Sequence, residues 1–309
     1  MTSRSTLQMM DLILGIARKD SRVLAVLQDG SRSNPNVTAD IFQDFDIIYI
    51  VEDLEPYLRD HSWVDVFGER MIMQLPEDME LYPPSPELAD AFSYLMLFTD
   101  GNRIDLVLVP LNRLDHFAAD SLCKVLLNKN GIFTSPLPEA SDTSYWTQKP
   151  SARSFTDCCN EFWFTSGSMG KALWRGEVIF AQQLSSEVVR GALLQMLDWY
   201  IGCKHEFKVN PGKWGKFYSR YLEPELYEKL LATYPLASQP QIWNATFASM
   251  DLFRYSAKFV ASELGYEYPT AWDHHLTAHL QHVRDLRADV QRIYDKTEMT
   301  ENIIRIVSR

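Results

Sequence analysis

Residues 23–51 read VLAVLQDGSRSNPNVTADIFQDFDIIYIV. The apolar runs at its two ends, Val23 to Leu27 and Ile47 to Val51, read as core strands. Ser33 to Gln43 between them holds Ser, Asn, Pro and Asp and reads as a loop. A tight Gly30-Ser31 turn therefore leaves the first strand, and Asp44 and Asp46 enter the second. Residues i and i+2 of a strand point to one face, so the two carboxylates should project together. Carboxylate oxygens suit Mg²⁺, and N–H groups exposed at a Gly-Ser turn suit phosphate. Together they point to a nucleoside triphosphate held with metal. Ser31 can hydrogen-bond a phosphate and Arg32 can neutralise it. Without the Asp pair, Gly30 would read as an ordinary turn glycine and Arg32 as a surface charge. Asp29 is as near the turn as Ser31 but has no evident role, and Asp40 reads as a loop or helix-capping residue.

A two-metal site needs a third carboxylate. Ser93 to Thr99, Asp100-Gly101 and Arg103 to Val109 read as a β-hairpin, because Asp-Gly favours a two-residue turn. Asp105 is the one charge in the apolar run Ile104 to Val109, and burying it without a partner would be costly. If Asp105 reaches the edge that holds Asp44 and Asp46, the site is complete. Asp105 could then be a metal ligand, a base for the acceptor hydroxyl, or both.

The chain has 309 residues, 46% of them hydrophobic, which suits two domains of ordinary size. No apolar run reaches the 18 or so residues of a membrane span. Residues 1–20 read as an amphipathic helix over 5–19, with Leu7, Met10, Leu14 and Ala17 at helical spacing, and not as a signal peptide. Cys123, Cys158, Cys159 and Cys203 lack zinc-site spacing and read as free thiols in a reducing cytoplasm. The net charge of −11 argues against a nucleic-acid partner and is compatible with a cationic substrate.

Further along, Asp53 to Asp60 reads as a short helix, Arg70 to Leu75 as a strand, and Glu77 to Leu88 as an acidic, proline-rich loop. Leu114 to Leu122 reads as a helix and Lys124 to Leu127 as a short strand. Thr134 to Ser151, with three prolines, is the linker candidate. Beyond it the periodicity turns helical over Phe155–Arg175, Glu177–Lys204, Pro224–Tyr234, Gln241–Leu264 and His274–Tyr294. The expected fold is α+β: a mixed sheet with helices over 1–135, a linker over 136–152, and a helical bundle over 153–309.

The helical half holds several candidates. Glu161 lies in an aromatic block, NEFWF, and could line a substrate cleft. Lys171 and Arg175 share a helix face, either as a solvated basic strip or as a contact to a triphosphate. Asp198 could bind a cationic group or serve a local network. The segment GKWGK at 212–216 lacks the spacing of a P-loop, and His274-His275 have no partner at metal-ligand spacing.

GSRSNPN, DIFQDFDIIYIV and NRIDLVLV resemble the aminoglycoside 6-adenylyltransferase (streptomycin adenylyltransferase) family, which belongs to the polymerase-β-like nucleotidyltransferases. PSARSFTDCCNEFWF (150–164), GKALWRGE (170–177) and DWYIGCKHEFKVNPGKWGK (198–216) continue the resemblance, which runs from about residue 5 to about residue 290. It implies a nucleotidyltransferase domain followed by a helical substrate-binding domain. It also implies transfer of AMP from ATP to an aminoglycoside hydroxyl, the 6-hydroxyl of streptomycin, with two Mg²⁺ ions. Asp44, Asp46 and Asp105 would be the catalytic metal ligands, and Gly30, Ser31, Arg32 and Lys171 would bind the nucleotide. Glu161 and Asp198 would face a cationic aminoglycoside. The expected protein is a cytoplasmic, monomeric resistance enzyme with no nucleic-acid or membrane partner.

Overall fold

Val23–Gln28 forms β1 and Phe45–Val51 forms β2, paired antiparallel with Gln28 opposite Ile47. They lie inside a six-stranded sheet of order β3-β4-β5-β2-β1-β6, where β3 is Arg70–Gln74, β4 Phe92–Phe98, β5 Arg103–Pro110 and β6 Lys124–Asn128. Neighbours are antiparallel except β2 and β5, which run parallel. The computed structural model describes residues 3–82, 90–129 and 131–294, and the chain divides into two compact units, Met1–Ser144 and Tyr145–Arg309. Residues 83–88 of the Glu77–Leu88 stretch and residues 295–309 lie outside the described residues.

The sheet is covered on both faces, and side-chain alternation sorts the two cores. Phe45, Ile47, Tyr49 and Val51 of β2 pack with Ile104, Leu106 and Leu108 of β5 in one cluster. That cluster includes Met9, Ile13 and Ala17 of α1 (Thr6–Lys19). The buried stripe of α1 therefore differs from the one expected around Leu7, which is exposed. Ser5 and Gln8 close a capping box at the start of α1, and Tyr49 donates its hydroxyl to the Ile13 carbonyl at 2.6 Å. At the other end Lys129 donates to the Ala17 and Asp20 carbonyls. Ile48 and Ile50 of β2 pack with Val109, Leu27 and Cys123 on the second face. Asp46 and Asp105 have the parity of this second face.

Four local expectations change in this unit. Gly30-Ser31 is not a bare turn but opens a one-turn helix, α2 (Gly30–Ser33). The β4–β5 link is longer than Asp-Gly, because Leu97 pairs with Arg103 and Phe98 N–H bonds the Asn102 carbonyl. Arg4 grips Asp100 there, through Nε at 2.5 Å and Nη2 at 3.2 Å, which draws the loop out of the minimal hairpin form. Helix α4 (Leu114–Ala118) stops short of Leu122, because Asp120 accepts the Leu122 N–H at 2.8 Å in a local turn. α3 is the single turn Glu55–Leu58.

The second unit is helical: α5 (Ala152–Trp174), α6 (Val178–Leu184), α7 (Arg190–Lys204), α8 (Tyr218–Tyr221), α9 (Pro224–Leu231), α10 (Gln239–Leu264) and α11 (Thr270–Asp285). Phe162 of α5 stacks on Phe253 of α10 with centroids 3.8 Å apart. A Cβ on Gly170 would stand 2.3 Å from Leu280 Cδ2, so a larger residue there would force the Leu280 side chain to shift at the α5–α11 contact. The helix expected over Glu177–Lys204 is interrupted by a π-helical turn at Ser185–Val189. The helix expected to reach Tyr294 stops at Asp285, and Tyr294 folds back to stack on His282 and bond His279. All four cysteines are free thiols. Among the described residues, no helix is long and apolar enough to cross a membrane.

Candidate active site

The parallel pairing of β2 with β5 sets Asp46 directly beside Asp105. Both follow the same alternation, so their carboxylates leave the same face of the sheet. Asp44 shares their parity but precedes the first residue of β2, so its side chain is more open than the strand position expected for it. Gly30 lies against Asp46. Its φ is +66°, and a Cβ there would fall 2.0 Å from Asp46 Oδ2. Only glycine tolerates both the left-handed backbone and that approach. The next N–H, from Ser31, bonds Asp46 and helps hold its carboxylate in the charged form.

Arg32 is turned towards its own loop. Its Nε donates to the Asp44 carbonyl at 2.9 Å and its Nη2 to the Gln43 carbonyl at 2.7 Å, while the guanidinium stacks on Phe45 at 3.9 Å. Gln43 in turn donates to the Ser31 carbonyl. These bonds lash the end of the loop to α2 and so position the backbone that carries Asp44. Arg32 thus spends two of its three nitrogens on carbonyls, which the sequence reading left for phosphate.

Charge is concentrated here. Burial pushes the Asp46 carboxyl up to about 6, helped by Asp105 and Asp44 and opposed by Arg103 and the Ser31 N–H. Asp29, which the sequence reading left without a role, is pushed up to about 7, first by burial and then by Asp46 and Asp120. Its adjacency to Gly30 was the available signal. Arg103 was missed altogether. It forks onto Asp105, Nε to Oδ1 and Nη2 to Oδ2 both at 2.7 Å, and its Nε lies 3.7 Å from Asp44 Oδ2. Its position two residues before Asp105 on one strand was the signal that could have found it.

Among the described residues, no three His, Cys, Asp or Glu side chains already stand as a metal cage. Like charges repel, and Arg103 draws Asp105 towards itself. The donor set nevertheless fits a hard divalent cation: three carboxylates at one strand edge, with Asp46 raised first by burial and then by Asp105 and Asp44, and a guanidinium standing in as the cation.

The helical unit keeps its candidates apart. Asp198 lines a cavity of about 630 Å³ with Tyr145, Trp199 and Trp214. It accepts the Tyr218 hydroxyl at 2.7 Å, and burial pushes its carboxyl up to about 6. Lys171 and Arg175 line a different cavity of about 500 Å³, with Trp174 and His279. Glu161 is exposed on α5 and lines neither.

The family model described as streptomycin adenylyltransferase matches residues 3–283. An aminoglycoside 6-adenylyltransferase of Campylobacter jejuni is 45% identical over 268 residues, 86% of this chain and 91% of the relative. A protein of the same name from Bacillus subtilis (strain 168) is 42% identical over 268 residues, 86% of this chain and 93% of the relative. A crystal structure of an aminoglycoside 6-adenyltransferase from Bacillus subtilis aligns with 92% of this chain and 100% of its own, at 37% identity and a TM-score of 0.46. A family match over most of the chain, with relatives at this identity over nearly their whole length, shows that the chain is an adenylyltransferase and belongs to the streptomycin adenylyltransferase family.

Proposed function

We propose that this enzyme transfers AMP from ATP to a hydroxyl of an aminoglycoside, the 6-hydroxyl of streptomycin's streptidine ring, and so confers resistance. The new bond joins the acceptor oxygen to the α-phosphorus, the bond from that phosphorus to the β-phosphate bridge breaks, and pyrophosphate leaves. The observation that carries the reading is Asp46 in register with Asp105 and pressed against Gly30.

Asp44, Asp46 and Asp105 would hold Mg²⁺, two ions in this reading. Bound Mg²⁺ supplies charge neutralisation at the phosphates. The residues of the chain orient and bind. Gly30 lets the backbone approach Asp46, Ser31 offers its hydroxyl to phosphate, and Arg32 fixes the loop that carries Asp44. Asp105 is the group closest to the role of base for the acceptor proton once its ion pair opens, alongside its part as a ligand. Lys171 is assigned to the triphosphate by family resemblance. Asp198 is assigned to a cationic group of the acceptor, supported by its ring-walled cavity. Glu161, exposed on α5 outside that cavity, is assigned to the acceptor from its sequence position alone. Catalysis on this reading is mostly positioning and charge neutralisation.

The test is mass spectrometry of streptomycin incubated with the protein, ATP and Mg²⁺. The expected product is heavier by one AMP, with pyrophosphate released, and fragmentation places the AMP on the 6-hydroxyl. ATP binding with no modified streptomycin would overturn the assigned acceptor and move the search to other aminoglycosides.

A further inference from the structure

Arg103 holds the position of a cation among the carboxylates. It sits on β5 two residues ahead of Asp105, so both side chains leave the same face. Its fork occupies both Asp105 oxygens at 2.7 Å, and its Nε also lies 3.7 Å from Asp44 Oδ2. A hard divalent cation needs at least one oxygen from each carboxylate that ligates it. The fork and such an ion therefore compete for Asp105. The guanidinium side chain is 42% exposed, so it has open space to move into, and ion pairs with one open side are weak enough to exchange.

We propose that Arg103 is a nucleotide-phosphate-binding residue that is parked on Asp105 until a divalent cation takes its place. In the parked state it offsets the repulsion among Asp44, Asp46 and Asp105 and keeps the strand edges together. When the cation arrives, the fork leaves Asp105. The guanidinium remains on the same face, two residues along, where the planar pair of donors that matched a carboxylate matches a phosphate equally well. Arg103 thus passes one charge from protein to substrate as the site fills. The argument rests on the reading of the three aspartates as the metal ligands.

The experiment titrates the whole protein with Mn²⁺, following the free ion by electron paramagnetic resonance, first without nucleotide and then with a non-hydrolysable ATP analogue at saturating Mn²⁺. Arg103→Gln is expected to bind Mn²⁺ alone about tenfold tighter than wild type, and the analogue about tenfold weaker, the scale of one charge-assisted hydrogen-bonded pair. Arg103→Lys keeps the charge without the fork and is expected to fall between the two in both measurements. It carries the test if the Gln variant does not fold. Mn²⁺ affinity that fails to rise in these variants, or analogue affinity that fails to drop, overturns the proposal. Asp46→Asn separates the two layers. If it binds Mn²⁺ as wild type does, the ligand assignment itself is wrong. If it loses Mn²⁺ while the Arg103 variants match wild type, the ligand assignment stands and the exchange alone is rejected.

Discussion

Asp29 and Asp46 differ from most surface carboxylates in one respect: the folded chain makes ionisation harder. Asp29 is shifted from 3.8 to about 7, chiefly by burial and then by Asp46 and Asp120. The sign follows from linkage. A folded pKa above the unfolded one means that the folded state binds the proton more tightly. The stability this group contributes is complete below its unfolded value near 4 and is lost as pH rises through about 7. Asp29→Asn should therefore match wild type near pH 3 and become progressively more stable than wild type up to pH 7 and above, by at most about 4 kcal/mol. Calorimetry across that range in metal-free buffer decides it, and a difference that does not grow with pH would contradict the assigned cause. The motif Gly30-Ser31 with Asp44 and Asp46 was legible because turn chemistry and strand alternation are local rules. The raised carboxyls were not, because burial and the approach of Asp120 are set by distant segments.

At the scale of elements, the N-terminal segment is bound to the β4–β5 hairpin. Arg4 contacts Asp100 through Nε and Nη2, its Nη1 donates to the Phe67 carbonyl, and its guanidinium lies over Phe98. The Asp100 carboxyl is held well below the ordinary range, first by Arg4. The pair is largely shielded, at 26% and 8% side-chain exposure, so it should couple more strongly than a surface pair. A double-mutant cycle of Arg4→Ala and Asp100→Ala, read by urea unfolding, is expected to give a coupling of about 1–2 kcal/mol. A coupling near zero would show that the hairpin holds its form without the pair. The sequence led to the hairpin but to the wrong loop, because a turn rule scores Asp100-Gly101 by itself and Arg4 lies 96 residues away. Helices α4 and α11 also end sooner than their periodicity suggests. Asp120 turns the chain in one case, and in the other Tyr294 folds back onto His279 and His282.

At the scale of the molecule, the net charge of −11 bears on the proposed acceptor, an aminoglycoside polycation. Long-range attraction concentrates such a substrate and is screened by salt. The KM for streptomycin should rise about threefold or more between about 50 and 500 mM salt, with kcat much less affected. Steady-state pyrophosphate release measures both, and a KM that stays flat would remove bulk charge from the account of binding. The sequence by itself determined the class of the fold and the residue types of its chemistry. Strand alternation, helical periodicity and turn residues act over a few positions, and the family motifs are contiguous. Only the tertiary structure decided what those residues touch. It set Asp46 beside Asp105 through a parallel pairing of strands 59 residues apart and pressed Gly30 on Asp46. It also turned Arg32 into its own loop and forked Arg103 onto Asp105. Those outcomes depend on distances between charges that are remote in the chain, and a linear pattern does not encode distance.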